Sequence, residues 1–187
     1  MTARPDVLVA FASRHGQTAK IAGRIADTLN ADGVRAVPFD LERGGDIDPR
    51  DYDAVIVGGS LHAGHHQRSV GEWVEHHRSA IELRPNAFFS VSLTAADDSD
   101  EARAATRTCI DEFVEDTAWT PDVAASFAGA LMYGDYDVFT RVLMRLIAAH
   151  HGGPTDTSHD HELTDWDAVE RFARDFARRS ARVPAAR

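Results

Sequence analysis

Apolar and polar positions along the 187-residue chain alternate between two patterns, short continuous apolar runs and longer stretches with apolar residues three or four apart. Val7-Leu8-Val9-Ala10-Phe11-Ala12 is a run of the first kind, expected of a parallel strand covered on both faces. Ile21, Ile25 and Leu29 follow at four-residue spacing with Ala22 and Ala26 beside them, and Gly33 stops that predicted helix. Val34 to Leu41 reads as a second strand, which Pro38 places near the sheet edge. Ala54 to Gly59 is a third strand, followed by a polar loop from Ser60 to His66 and a helix carrying Val70, Trp73, Val74 and Ile81. Ala87 to Val91 is a fourth strand, Thr94 to Asp100 an acidic loop, Ala102 to Thr117 a helix with Ile110, Phe113 and Val114 inward, and Ala124 to Leu131 a fifth strand. This alternation predicts an α/β protein with a doubly wound, five-stranded parallel sheet in the order 2-1-3-4-5 and helices on both faces.

The tail adds to that plan. Val138 to His151 is a further apolar helix, with Phe139, Val142, Leu143, Leu146 and Ile147, stopped by Gly152-Gly153-Pro154. Thr164-Asp165 caps a closing helix through Ala168, Val169, Phe172, Ala173 and Phe176. The length suits one domain over residues 1–187, with a core of about 6–180 and an inserted segment of about 133–153.

Composition narrows the function. A formal net charge of -10 argues against nucleic acid as a partner and weakens any case for anionic membranes. Lys20 is the only lysine and aspartate outnumbers glutamate, a balance that either a high-salt cytoplasm or GC-rich coding produces. No apolar run approaches the roughly 20 residues needed to span a bilayer, and the start of the chain leads directly into a strand, so a cytoplasmic protein is expected. The lone Cys109 reads as a core residue, since one cysteine forms no internal disulfide.

The candidate chemistry lies in the turn after the first strand, Ser13-Arg14-His15-Gly16-Gln17-Thr18. Backbone N–H groups at a helix start carry partial positive charge and suit a phosphate anion. Ser13, Gln17 and Thr18 add side-chain donors, and Gly16 lets the backbone close on a ligand. The turn is neither a dinucleotide G-x-G-x-x-G nor a P-loop, so a mononucleotide phosphate held without a P-loop lysine or Mg²⁺ is expected. The competing reading is that Ser13 or Thr18 merely caps the helix.

This turn resembles the T-x-x-G-x-T phosphate loop of flavodoxins. The wider chain is similar to the menaquinone-dependent protoporphyrinogen dehydrogenase family within that flavodoxin-like fold. The matching residues are Ser13-Arg14 with Gly16-Gln17-Thr18, Gly64-His65, Phe89-Ser90-Val91 with Leu93, Gly129-Ala130-Leu131 with Tyr133, Gly152-Gly153 with Thr155-Asp156-Thr157, and Thr164-Asp165-Trp166. The resemblance implies FMN, with its phosphate on Ser13 to Thr18. It places the isoalloxazine ring between Ser60, Leu61, His62, Ala63 and Gly64 on one side and Ser92, Leu93, Thr94 and Ala95 on the other. It implies that the inserted segment shapes access for porphyrinogen or quinone, with Tyr133 and Tyr136 toward the substrate. The reaction implied is two-electron oxidation of protoporphyrinogen IX, with a quinone or similar acceptor.

The chain departs from the family pattern in places. Leu61-His62-Ala63-Gly64 offers no aromatic to stack on a flavin, though His62 has the shape to do so. His15 would add charge to the phosphate loop as pH falls, or is an ordinary exposed residue. His62, His65 and His66, or His159 and His161, suggest a metal site, but no acidic ligand is tied to the first group by a motif and the second reads as solvated loop, so no metal is assigned. The insertion carries Tyr133-Gly134-Asp135-Tyr136-Asp137 where membrane-quinone users carry basic residues. Arg141 and Arg145 fit an interfacial helix in peripheral contact with the inner face of the cell membrane, or a core helix packed on the sheet or on a partner subunit in a homo-oligomer. No catalytic base stands out, because a redox cofactor carries its own chemistry. The rival functions are a flavodoxin-like electron carrier and a flavin-free interaction module.

Overall fold

A strand buried on both faces needs apolar residues at consecutive positions, and β1 (Asp6–Phe11) meets that condition, with Val7 to Ala10 fully buried. The computed structural model describes residues 5–62, 64–131 and 161–181. In chain order β1 is followed by α1 (Gln17–Ala31), β2 (Arg35–Asp40), β3 (Ala54–His62), β4 (His65–His66), α2 (Arg68–Glu82), β5 (Asn86–Ser92) and α3 (Asp100–Thr117). Then come β6 (Val123–Ala128), β7 (Ala130–Leu131), β8 (His161–Glu162) and α4 (Trp166–Ser180).

The long strands run parallel in the order β2-β1-β3-β5-β6. Without the two-residue β4 this is the expected 2-1-3-4-5, and β2 with Pro38 is an edge strand as predicted. Alternate strand residues feed two cores. Val7, Val9, Phe11, Ile56, Phe89 and Phe127 meet Ile21, Ile25 and Leu29 of α1 and Val169, Phe172 and Phe176 of α4. Leu8, Ala10, Val55, Val57 and Phe88 meet Val70, Trp73, Val74 and Ile81 of α2, Phe113 of α3, and Trp119. Each fully buried Ile, Leu, Val or Phe contributes roughly 1.5–3 kcal/mol of transfer free energy. Gly58 is required by this packing, since a Cβ there would lie 2.0 Å from the ring of Phe89.

Helix starts are handled in different ways. Ser99 Oγ accepts from the Ala102 N–H at 3.2 Å with Asp100 and Glu101 in the first turn of α3, and Asp165 Oδ1 accepts from the Ala168 N–H at 2.9 Å with Asp167 in that of α4. Thr164, expected to share the capping of α4, instead donates from its hydroxyl to the Ala128 carbonyl at 2.7 Å. No acidic residue occupies the first turn of α1.

Several sequence expectations are corrected. The polar loop from Ser60 to His66 is a hairpin: β3 runs on to His62 and pairs antiparallel with β4, Leu61 opposite His66 and His62 opposite His65. Gly64, at φ 89, occupies the left-handed conformation this tight turn needs. The fifth strand, expected as Ala124 to Leu131, breaks at Gly129, where the chain leaves the sheet to pair β7 antiparallel with β8. Within the acidic loop Thr94–Ala96 form a 3₁₀ turn, and α3 begins at Asp100. Cys109 is only half-buried, because the inward stripe of α3 runs through Ala102, Thr106, Phe113 and Thr117 and leaves Cys109, Ile110 and Val114 partly covered. The helix expected at Val138 to His151, the insertion of about 133–153 with Tyr133 and Tyr136, and His159 lie outside the described residues. No helix among the described residues is long and apolar enough to cross a membrane.

Candidate functional site

β1, β3 and β5 are neighbours in the sheet, so the segments leaving their carboxyl ends form one continuous edge. Chain connectivity reverses direction between β1 and β3, the position where open α/β sheets bind ligands. The three sequence-predicted segments, Ser13 to Thr18, Ser60 to Gly64 and Ser92 to Ala95, therefore meet along that edge, with Ala63 outside the described residues.

In the first segment Gly16 adopts φ 90, a left-handed conformation that favours glycine and lets α1 begin abruptly. Ser13 is buried, and its Oγ accepts from the N–H of Gly16 at 3.1 Å and of Ala19 at 3.2 Å. The capping role weighed for Ser13 is therefore real. The N–H groups of Gln17 and Thr18 remain in the first turn without an acceptor among the described residues. Arg14 and His15 are exposed. The Gln17 amide, expected at the phosphate, points the other way. Its Nε2 donates to Thr164 Oγ1 at 2.8 Å and to Glu162 Oε1 at 3.0 Å, so Gln17 has its backbone N–H to offer an anion.

The second segment is the hairpin. Ser60 Oγ lies 3.3 Å from His62 Nε2, and the His62 ring meets that of His15 edge-on, centroids 5.5 Å apart, which brings the first two segments into contact. His66 turns inward between Phe88 and Phe113, at centroid distances of 5.1 and 5.0 Å, with Nε2 2.9 Å from Ser90 Oγ. Burial there, with a smaller contribution from His65, pushes its imidazole down to about 4, so it is neutral at physiological pH. In the third segment Ser92 Oγ accepts from the Ala95 N–H at 3.2 Å and the Ser92 carbonyl from the Gly129 N–H at 3.0 Å, tightening the turn and anchoring the point where the last strand breaks.

Sequence reasoning missed several participants. Glu162 and Thr164 brace the start of α1 from 145 and 147 residues away, and nothing local signals that contact. The buried Gln67 bonds Ala12, just after β1, and Ser60 in β3. The histidines read as metal ligands are dispersed: His62 and His65 face each other across the hairpin, and His66 is spent on Ser90. Among the described residues the three groups gathered within 4.8 Å are Asp46, His76 and His77, and there His77 Nε2 already contacts Asp46 Oδ1 at 2.9 Å. A groove of about 310 Å³ lies beside the hairpin between α2 and α3, lined by His65, Arg68, Glu72, Cys109, Glu112 and Phe113. Burial and Glu112 push the Cys109 thiol up, so it is no activated thiolate.

The chain matches the flavodoxin domain model over residues 8–158. It superposes on oxidised flavodoxin 1 from Bacillus cereus with TM-score 0.55 and 13% identity, covering 92% of this chain and 97% of that one. For flavodoxin 2 of the same organism the values are 0.55, 19%, 93% and 99%; these likenesses concern the fold. Protoporphyrinogen IX dehydrogenase [quinone] of Leishmania major is 36% identical over 181 residues, 96% of this chain and 78% of that protein. The Escherichia coli (strain K12) protein of the same name is 34% identical over 170 residues, 91% of this chain and 93% of its own length. With a flavodoxin topology and this identity along nearly its whole length, the chain belongs to the protoporphyrinogen IX dehydrogenase [quinone] family of the flavodoxin domain fold.

Proposed function

We propose that this chain oxidises protoporphyrinogen IX to protoporphyrin IX in two-electron steps and passes the electrons to a quinone, with FMN as its flavin. The identity to relatives of that name over 91–96% of the chain carries the substrate assignment. The residues fit the cofactor. A phosphate dianion needs convergent donors, and α1 starts with a positive-φ glycine, first-turn N–H groups that have no acceptor among the described residues, and no acid of its own in that turn. The nearby Glu162 carboxylate is engaged by the Gln17 amide and Lys20. The Ser13 hydroxyl donates to the phosphate, Arg14 and His15 add positive charge at its rim, and the Gln17 and Thr18 N–H groups bind it.

Bound FMN supplies two-electron acceptance at its ring. The hairpin of Ser60, Leu61, His62, Ala63 and Gly64 forms one wall beside the ring, and Ser92, Leu93, Thr94 and Ala95 form the other. Leu61 and Leu93, both partly covered, give these walls apolar surface. The 3₁₀ turn and the Ser92 bonds hold the second wall at a fixed height above the sheet. Tyr133 and Tyr136 are the residues assigned to the porphyrinogen, on the family resemblance.

The test is FMN titration at low and near-molar salt, followed by flavin fluorescence, with Gly16→Asp beside the wild type. A carboxylate at the start of α1, on a residue forced to positive φ, is expected to weaken binding by at least about tenfold. Protoporphyrinogen turnover with a quinone then separates the dehydrogenase from an electron carrier, which would bind FMN and leave porphyrinogen untouched. A protein that purifies colourless and binds no FMN at either salt overturns both.

A further inference from the structure

Gln67 immediately precedes α2, is 8% exposed, and sits where the ends of β1 and β3 separate. Both ends of its amide are used. Oε1 accepts from the Ser60 backbone N–H at 2.7 Å, while Nε2 donates to Ser60 Oγ at 2.6 Å and to the Ala12 carbonyl at 3.2 Å. Ala12 is the residue before the Ser13 to Thr18 loop, and Ser60 opens the hairpin. One side chain therefore links the segment proposed to hold the phosphate to the wall proposed beside the ring. The link continues outward, from Ser60 Oγ to His62 Nε2 at 3.3 Å and from the His62 ring to that of His15. The chain from Ala12 to His15 closes the circuit around the mouth of the site.

We infer that Gln67 is a positioning residue for the cofactor: its amide sets the separation of the phosphate loop and the ring-side hairpin, so flavin affinity depends on it without direct contact. The inference rests on the flavin reading above. A pre-set separation spares the ligand the cost of ordering two independent segments. Only a side chain that is both donor and acceptor can make this link, because Ser60 N–H needs an acceptor and the Ala12 carbonyl a donor. Methionine matches glutamine in length and offers no donor and only a weak thioether acceptor. Glutamate keeps the acceptor but turns a second oxygen toward the Ala12 carbonyl, and it regains the donor only when protonated.

That difference provides a signature that loss of packing alone would not produce. FMN titrations of wild type, Gln67→Met and Gln67→Glu are compared between about pH 8 and about pH 5.5, the range in which a buried carboxyl with a raised pKa takes up its proton. The other titratable or charged groups around the position are His66 and Arg68 beside it in the chain, His62 beyond Ser60, and His15 in the loop after β1. All are present in the wild type, whose own pH profile is the reference. Gln67→Met is expected to bind FMN at least about tenfold more weakly at every pH, the factor of one lost buried hydrogen bond. Gln67→Glu should match it at the alkaline end and recover toward wild type on acidification.

Hydrogen exchange provides the control for folding. In Gln67→Met the Ser60 amide should lose protection while Val55 to Val57 of β3 keep theirs, which separates a broken link from a broken sheet. If wild type binds FMN and both variants bind it within about twofold across the range, the inference is overturned and the cofactor reading survives. If wild type binds no FMN, the cofactor reading fails and the inference falls with it.

Discussion

On one face of the sheet α1 and α4 cover Val7, Val9, Ile56 and Phe89 with a layer of aliphatic and phenyl side chains, and the helices are joined at their rims by Arg24 with Glu170 and Arg174 with Asp32. On the other face α2 and α3 cover Leu8, Val55, Val57 and Phe88 with Trp73, Phe113 and Trp119, and polar groups are buried among them. His66 bonds Ser90, and Asn86 Oδ1 accepts from Trp119 Nε1 and from the Asp122 N–H. The first face's hydrophobic layer is held by shape and area, with its buried hydrogen bonds among the described residues confined to Thr164 beside the start of α1, while the second carries particular hydrogen bonds within its aromatic layer. The hairpin and Gln67 adjoin the second face, so the wall proposed to lie beside the flavin ring inherits its polar dependence, whereas the start of α1 belongs to the first.

The largest expected effect comes from the aromatic layer. Phe88 is fully buried, stacked on Phe113 at 4.5 Å and edge-on to Trp119 at 6.0 Å. Phe88→Ala should cost about 3–5 kcal/mol in urea unfolding, against about 2–5 for Leu29→Ala on the first face. A loss for Phe88→Ala much smaller than for Leu29→Ala would show that the second face collapses around the cavity.

Next is a pH dependence confined to the second face. Neutral His66 is held down to about 4 in the fold against an ordinary 6.5. Between those values the unfolded chain binds a proton that the folded chain refuses, so stability declines as pH falls from about 6.5 to about 4. The full contribution is roughly 3 kcal/mol. The lowered carboxylates of Asp46, Asp48 and Glu170 act in the same direction, but their support is lost only as pH falls through and below the ordinary carboxylate range. His66→Gln should flatten the decline above pH 4.5 or so; an unchanged slope would remove His66 as its cause.

The matching polar break at the first face is Thr164→Val, which strips the acceptor from Gln17 and the donor from the Ala128 carbonyl. A loss of about 1–3 kcal/mol is expected, as for a buried polar pair left half-made. The smallest effect is assigned to Arg174→Ala. Its ion pairs with Glu170 and Asp32 are half-exposed, so a change of about 0–1 kcal/mol, shrinking further in salt, should follow.

The site was legible only where its logic is local. The abrupt turn through Ser13 and Gly16 into α1 shows in neighbouring residues, because a strand, a glycine and an amphipathic run follow one another directly. The outward role expected of the Gln17 amide did not survive, because its partners come from the far end of the chain. The hairpin was read as a loop, since Ser60 to His66 lacks the alternation of a buried strand and its pairing is only two residues long on the β4 side. Cys109 was misplaced because a helical stripe fixes a direction to within about one residue, and α3 turns its inward line through Thr106, Phe113 and Thr117 instead.

What the sequence by itself determined is therefore the element order, the parallel sheet and its edge strand, the two amphipathic pairs of helices and the position of the abrupt turn after β1. All of these follow from periods of two and 3.6 residues, which steric limits impose within a few residues of chain. What only the tertiary structure decided is which polar side chains complete the site's frame. Gln17 with Thr164, Gln67 with Ala12, and His66 with Ser90 join residues 147, 55 and 24 apart. Burial makes an unpaired amide or hydroxyl costly wherever its partner lies in the chain, so such partners are chosen by proximity in space and leave no periodic trace.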